Sequence, residues 1–436
     1  MSTSHRIRSF EVHDIRFPTS RDRLGSDAVH PDPDYSMAYV TIRTDGTPEL
    51  EGHGFTFTIG RGNELCVAGI HALEPLLLGK PVEAFFADMG SFWRHVTGDD
   101  QLRWLGPDKG VIHLATCAVV NAMWDMYARS EGLPLWRLLL GMSPEALADC
   151  VDWRYLSDAL SRDGAVDILE RAREGREARE QELARDGYPG YTMAAAWLGF
   201  DDEQVRELVR EAVADGWGAF KMKVGADPEA DRRRAAIIRE EIGPGRALMM
   251  DANQRWGVSE AIDYMGRLAG FDPLFIEEPT SPDDILGHAS IAKAIAPILV
   301  ATGEHVPNMV IFKQFFQAGG LNVCQYDPCR VGGVNEMLGI LLLAARFGIP
   351  VCPHGGGAGL DELAQHLCAF DYIAVSGDLD GRVLEYVGHL HEHFRDPVTV
   401  RHGRFRLPER PGFSSALRPE AVEMYRFPEG DAWRGQ

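Results

Sequence analysis

The sequence contains no uninterrupted apolar stretch approaching the roughly 18 residues that a bilayer-spanning helix needs. Its opening segment, MSTSHRIRSFEVHD, has no apolar run of the signal-peptide kind. Cysteine is sparse. The seven residues are irregularly spaced and form no CxxC, which argues against both a disulfide framework and a zinc ribbon. Positive charge is short as well: 44 Lys and Arg stand against 65 Asp and Glu, for a net charge of −21. That balance opposes nucleic acid and anionic membranes as partners, since both need basic patches. The expectation is a cytoplasmic protein with free thiols. An anionic small molecule is still admitted, because one local cation can outweigh distant surface charge.

What is present reads as a folded chain. Its 436 residues are 45% hydrophobic and 25% charged, which excludes disorder, collagen and coiled coil as the main description. The length suits two or three domains. Residues 1–145 read as an α+β domain. Ser36 to Arg43 and Gly54 to Ile59 look like strands, and Val111 to Arg129 has apolar residues at helical spacing. The polar segment Thr19 to Tyr35 reads as a long loop.

After residue 145 short apolar runs alternate with amphipathic helices. The runs are Cys150–Tyr155, Ala219–Val224, Ala247–Asp251, Leu274–Glu277, Ile298–Gly303, Asn322–Tyr326, Val351–Pro353 and Val383–Val387. Eight strands with intervening helices favour an α/β fold closed into a barrel over residues 146–387. The first two runs are more than 60 residues apart, so the charged stretch Ala165 to Asp186 and the loop GYPGYTMAAAWLG, ahead of an amphipathic helix around Val205 to Trp217, read as an insertion.

A polar residue closes almost every run: Lys221 and Lys223, then Asp251, Glu277, Glu304, Asp327, His354 and Glu385, at intervals of 23 to 31 residues. In an α/β barrel the C-terminal strand ends converge on one mouth, so these residues should ring one cavity. Lys221 and Lys223, two apart in a strand, share a side. Asp251, Glu277 and Glu304 form an all-oxygen set that suits a hard divalent cation, Mg²⁺ first. His354 and Asp327 close adjacent strands, and a carboxylate fixes an imidazole's tautomer. A neutral Lys223 would be the base, its pKa lowered by Lys221 and the cation. Opposite stands His354. Such a site abstracts the proton alpha to a carboxylate.

The stretches KMKVG, MDANQRW, IEEPTSPDD, ATGEH, QYDPCRVGGVNE and PHGGGAGL resemble the enolase superfamily, mandelate racemase subgroup. No Lys closes the strand at Asp327, unlike the muconate-lactonising subgroup. The stretches DIRFPTSRDRLGSDA, PDPDYS, FTIGRGN, QLRWLGPDKGV, WRYLSDAL and VLEYVGHLHEHFRDPV extend the resemblance, within that subgroup, to the L-fuconate dehydratase family. The resemblance implies a modified TIM barrel, (β/α)₇β, under an α+β N-terminal capping domain, with residues 388–436 returning to the cap. It implies Mg²⁺ on Asp251, Glu277 and Glu304, with Lys223 and His354 as the acid/base pair. It further implies Asp327 orienting His354, Lys221 and Glu385 near substrate, and Asp27 reaching a substrate hydroxyl. The implied reaction is dehydration of an acid sugar by a homo-oligomer.

Other readings are a racemase or epimerase on the same scaffold and a catalytically silent binding protein. Asn253, two residues beyond Asp251, faces either the cavity or a turn. The histidines of HLHEHF could bind zinc but follow the last strand. Glu278 should point away from Glu277.

Overall fold

In the computed structural model, which describes residues 5–195 and 197–434, three antiparallel strands open the chain: β1 (Ile7–Arg16), β2 (Ser36–Thr44) and β3 (Glu51–Thr58). They form a meander in which Val12 faces Val40 and Val40 faces Gly54. The helix Gly110–Ser130 packs on this sheet. Gly52 and Gly54 allow the approach, because a Cβ on either would lie 2.1 Å from the carbonyl oxygen of Ala122 or Ala118.

Six parallel strands follow: β4 (Tyr188–Thr192), β5 (Ala219–Lys223), β6 (Ala247–Asp251), β7 (Pro273–Glu277), β8 (Leu299–Thr302) and β9 (Val323–Cys324). They pair in sequence order. Cys324 then bridges to Val351, and β10 (Leu384–Tyr386) pairs in parallel with β4. The result is the expected capped α/β barrel. Its interior holds Tyr191, Met249, Phe275, Ala301, Val323 and Cys352, about one residue per strand. The outer helix Val258–Leu268 buries one stripe, Ala261, Tyr264, Met265 and Leu268, at helical spacing, whereas Leu360–Asp371, between cap and barrel, is buried all round.

One expectation is corrected. The first barrel strand is Tyr188–Thr192, inside the segment read as a loop, and Cys150–Tyr155 contains only a 3₁₀ turn at Trp153–Tyr155. The helices Arg162–Arg171 and Arg176–Asp186 therefore precede the barrel's first strand instead of interrupting its first unit. Pro189 and Gly190 disguised the strand. β4 meets β5 through a single residue pair, Thr192 with Phe220, so Pro189 forfeits little ladder bonding there. A Cβ on Gly190 would meet the Phe405 ring at 2.8 Å.

After β10 the chain adds a hairpin, β11 (Val400–Arg401) and β12 (Arg404–Phe405), antiparallel to β4. It then runs along the cap. Phe413 N–H donates to Asp125 (2.6 Å), Ser415 Oγ to the His53 carbonyl (2.6 Å) and Trp433 Nε1 to the Arg16 carbonyl (3.0 Å). Cap and barrel share one core, crossed by buried polar links: Trp124 Nε1 to Asn335 Oδ1 at 2.8 Å and His113 to Glu336 at 2.8 Å. Among the described residues, no helix is long and apolar enough to cross a membrane.

Candidate active site

Strand alternation places Lys221 and Lys223 on one side of β5 while Phe220 and Met222 take the other. Register then sets Lys223 beside Asp251, and Asp251 beside Glu277. Lys223, Asn253, Glu304, Asp327, His354 and Glu385 line one cavity of about 330 Å³, roofed by cap residues that include Asp27, Tyr35 and Phe57. Asp251, Glu277 and Lys221 lie in the wall behind. Lys221 does not line the cavity; its Nζ is fixed 2.6 Å from Glu277, 2.7 Å from Glu385 and 3.6 Å from Asp251.

Asp251, Glu277 and Glu304 are buried, and each offers an oxygen, all within 4.8 Å of one another. Burial first, and Asp251 next, push the Glu277 carboxyl well above the usual range. Its Oε1 is buried with no hydrogen-bond partner among the described residues. An orphaned carboxylate oxygen amid repelling acids is the environment a cation relieves. The all-oxygen donor set fits Mg²⁺.

Opposite, His354 Nδ1 lies 2.7 Å from Asp327 Oδ2 and its Nε2 lies 3.2 Å from Glu304. Asp327 is itself fixed by the Cys329 N–H (2.6 Å). Burial disfavours a charged imidazole, but Glu304 and Asp327 outweigh it and raise His354 to about 10. Glu304 is held well below the usual range: burial opposes this, and His354 and His305 prevail.

Lys223 has a carboxylate partner that the expectation did not count. Its Nζ lies 2.6 Å from Asp251 Oδ2. Burial disfavours the ammonium, and Lys221 does too, but Asp251 outweighs both and raises the amine above its ordinary range. The expected lowering counted the positive neighbours and omitted the carboxylate. A neutral amine requires Asp251 to be engaged elsewhere.

Further residues emerge that sequence reasoning did not single out. His305, next to Glu304, lies 3.1 Å from Glu278 and 3.3 Å from Glu304, and is raised to about 10, burial being outweighed by Glu278 first. Gln254 donates to Glu278 at 2.8 Å. Asn253, Gln254 and Glu278 all adopt left-handed backbone conformations (φ 43°, 65° and 40°), strain of the kind that gathers at functional sites. His305's position directly after a metal-type carboxylate was the available signal. His30, from the cap, lay in no quoted motif, and Arg61 lay in FTIGRGN without a role assigned to it.

The HLHEHF histidines are structural. His391 places Nδ1 2.8 Å from Glu362 and Nε2 2.6 Å from the Val387 carbonyl. His389 stacks on Tyr35 and His393 on Phe17.

A capped α/β barrel with three clustered acids and opposed Lys and His–Asp groups at its mouth defines a class of barrel enzymes. Residues 204–421 match the enolase C-terminal domain-like family, and residues 28–141 match the mandelate racemase/muconate lactonizing enzyme N-terminal domain. The chain belongs to that branch of the enolase superfamily. It is similar to human mitochondrial enolase superfamily member 1, whose crystal structure superposes with a TM-score of 0.97 at 51% identity over 99% of both chains. It is 48% identical to L-galactonate dehydratase of Hypocrea jecorina over 98% of this chain and 96% of that one. The crystal structure of L-talarate/galactarate dehydratase from Salmonella typhimurium, liganded with Mg and L-lyxarohydroxamate, superposes with a TM-score of 0.74 at 25% identity, covering 96% of this chain and 92% of that one.

Proposed function

We propose that this protein is a Mg²⁺-dependent hydro-lyase that dehydrates an acid sugar, L-fuconate first, to a 2-keto-3-deoxy acid. The observation that carries the reading is the opposition of Lys223 to the His354–Asp327 pair across one cavity beside three buried acids. Asp251, Glu277 and Glu304 would hold the cation. When bound, Mg²⁺ supplies positive charge that acidifies the C2 proton of a chelated 2-hydroxy acid and competes with Lys223 for Asp251.

Lys223 Nζ then takes the C2 proton, and the electron pair left behind forms the C2–C3 double bond. His354, charged through Asp327 and Glu304, gives its proton to the departing 3-hydroxyl, which leaves as water. The enol so formed takes a proton at C3 and gives up its O2 hydroxyl proton, leaving the keto acid. Asp327 holds the imidazole's orientation. Lys221, held charged by Glu277 and Glu385, keeps an ammonium behind the reacting carboxylate.

L-Galactonate is the second substrate reading, favoured by the Hypocrea relative. L-Fuconate is its 6-deoxy form, so the two share every reacting centre. Incubating the Mg²⁺-loaded protein with both acids, and with hexaric acids as comparison, tests the proposal through 2-keto acid formation. Solvent deuterium entering C2 without keto acid would replace dehydration by epimerisation. We take the protein to be a cytoplasmic homo-oligomer; its seven buried free cysteines accord with a reducing compartment, and light scattering measures the assembly.

A further inference from the structure

The cap loop between β1 and β2 carries a second carboxylate–imidazole pair. Asp27 Oδ1 accepts the N–H groups of Val29 (2.7 Å) and His30 (2.6 Å), and the Asp27 N–H donates to the His30 carbonyl at 3.0 Å. Asp27 Oδ2 lies 3.0 Å from His30 Nδ1. The carboxylate is thus engaged by its own four-residue turn, which makes it a poor candidate for a substrate hydroxyl. The loop is well anchored. Thr19 Oγ1 donates to the Pro33 carbonyl (2.8 Å), the Tyr35 N–H donates to Thr19 Oγ1 (2.9 Å), and Ser26 Oγ reaches the Leu198 carbonyl (3.1 Å) beyond the first barrel strand.

What this turn presents is the His30 ring. Asp27 is 7% exposed and His30 35%. A carboxylate at Nδ1 fixes a proton on that nitrogen, and Nε2 has no partner among the described residues. The ring lines the same cavity as Lys223 and His354. Lys223 acts electrostatically on Asp27, and Glu304 and His305 act on His30, so the loop tip stands across the mouth from the barrel groups. A substrate with its carboxylate at the three acids and C2 at Lys223 has its remaining carbons to place against the cap.

We propose that His30 Nε2 is a specificity-determining contact that binds a hydroxyl on the far carbons, C4 to C6, of the acid sugar, and that Asp27 is the positioning residue for its ring. A hydroxyl suits Nε2 because it donates to a neutral ring and accepts from a charged one. This rests on the acid-sugar reading above.

The test compares a six-carbon acid sugar with glycerate, which has the reacting carbons and nothing beyond C3. With Mg²⁺ present, His30→Ala should raise the KM for L-fuconate by about tenfold or more, with a smaller fall in kcat. It should leave the inhibition constant of glycerate unchanged. His30→Gln should recover part of the KM loss, and Asp27→Asn should move KM in the same direction as His30→Ala by less. Equal losses for both ligands, or no loss for either, would overturn the assignment. Calorimetric titration of both ligands into wild type and His30→Ala gives the same comparison without turnover. If wild type makes no keto acid, the dehydratase reading fails on its own, while the difference in binding still decides the role of His30.

Discussion

Replacing Lys221 with methionine should destabilise the metal-free protein and at the same time strengthen its binding of Mg²⁺. The Lys221 side chain is fully buried, and its ammonium contacts Glu277 at 2.6 Å and Glu385 at 2.7 Å. At an effective dielectric constant of about 20, each such contact is worth about 6 kcal/mol before desolvation is subtracted. Desolvation cancels much of that, and removing one partner of a buried ion pair costs about 3–5 kcal/mol net. Methionine is similar in length, so the cavity contribution is small. Without the ammonium the acids repel one another more strongly, and a divalent cation gains what the lysine no longer supplies. If only about 1.4 kcal/mol of the penalty is relieved on metal binding, affinity for Mg²⁺ rises about tenfold. Urea unfolding in EDTA and in saturating Mg²⁺, with calorimetric Mg²⁺ titration, measures both effects. An unchanged metal-free midpoint, or weaker Mg²⁺ binding in the variant, would refute the reasoning.

Lys223→Ala should lower kcat on an acid sugar by about two to four decades while circular dichroism stays that of wild type; near-normal turnover would remove Lys223 as the base. Gly54→Ala should unsettle the cap, since its Cβ would lie 2.1 Å from the Ala118 carbonyl oxygen; we expect a loss of about 1–3 kcal/mol in chemical unfolding, and an unshifted midpoint would contradict the close packing. His391 is raised to about 9, burial being outweighed by Glu362 and then Asp361. Its folded value exceeds the unfolded one of about 6.5, so its contribution is complete below that pH and is lost as pH climbs towards 9. Stability curves at pH 6 and pH 9 should therefore converge in His391→Gln relative to wild type, and parallel losses in both proteins would exclude this histidine as a source.

The barrel was legible because its strands end on polar residues at a nearly constant interval, a pattern that only a repeated strand–helix unit imposes. Its first strand was not, because tertiary surroundings and not local propensity make a strand of YPGYT: β10 and the β12 hairpin frame it on either side. The convergence of Lys223, Asp251 and Glu277 follows from strand register, and register is set by alternation that can be read in KMK and MMD. The 2.6 Å contact between Lys223 and Asp251 crosses that register, and sequence separation conceals it. His30 was passed over for the same reason that Asp27 stood out. The family resemblance of the GSDA loop brought Asp27 forward, whereas the hydrogen bonds that turn the acid inward exist only once the loop is folded.

The last stretch of the chain lies along β1. Ile15 bridges to Arg426, the Phe427 N–H donates to the Asp14 carbonyl at 2.8 Å, and Trp433 reaches Arg16. The end of β1 is therefore completed by residues far along the chain. Until those residues dock, the Asp14–Arg16 end of that edge is bare, a template for pairing with another chain, whereas its start is already held by Gly79 and Lys80. Early termination or a bulky carboxy-terminal fusion would leave that edge open in an otherwise assembled barrel.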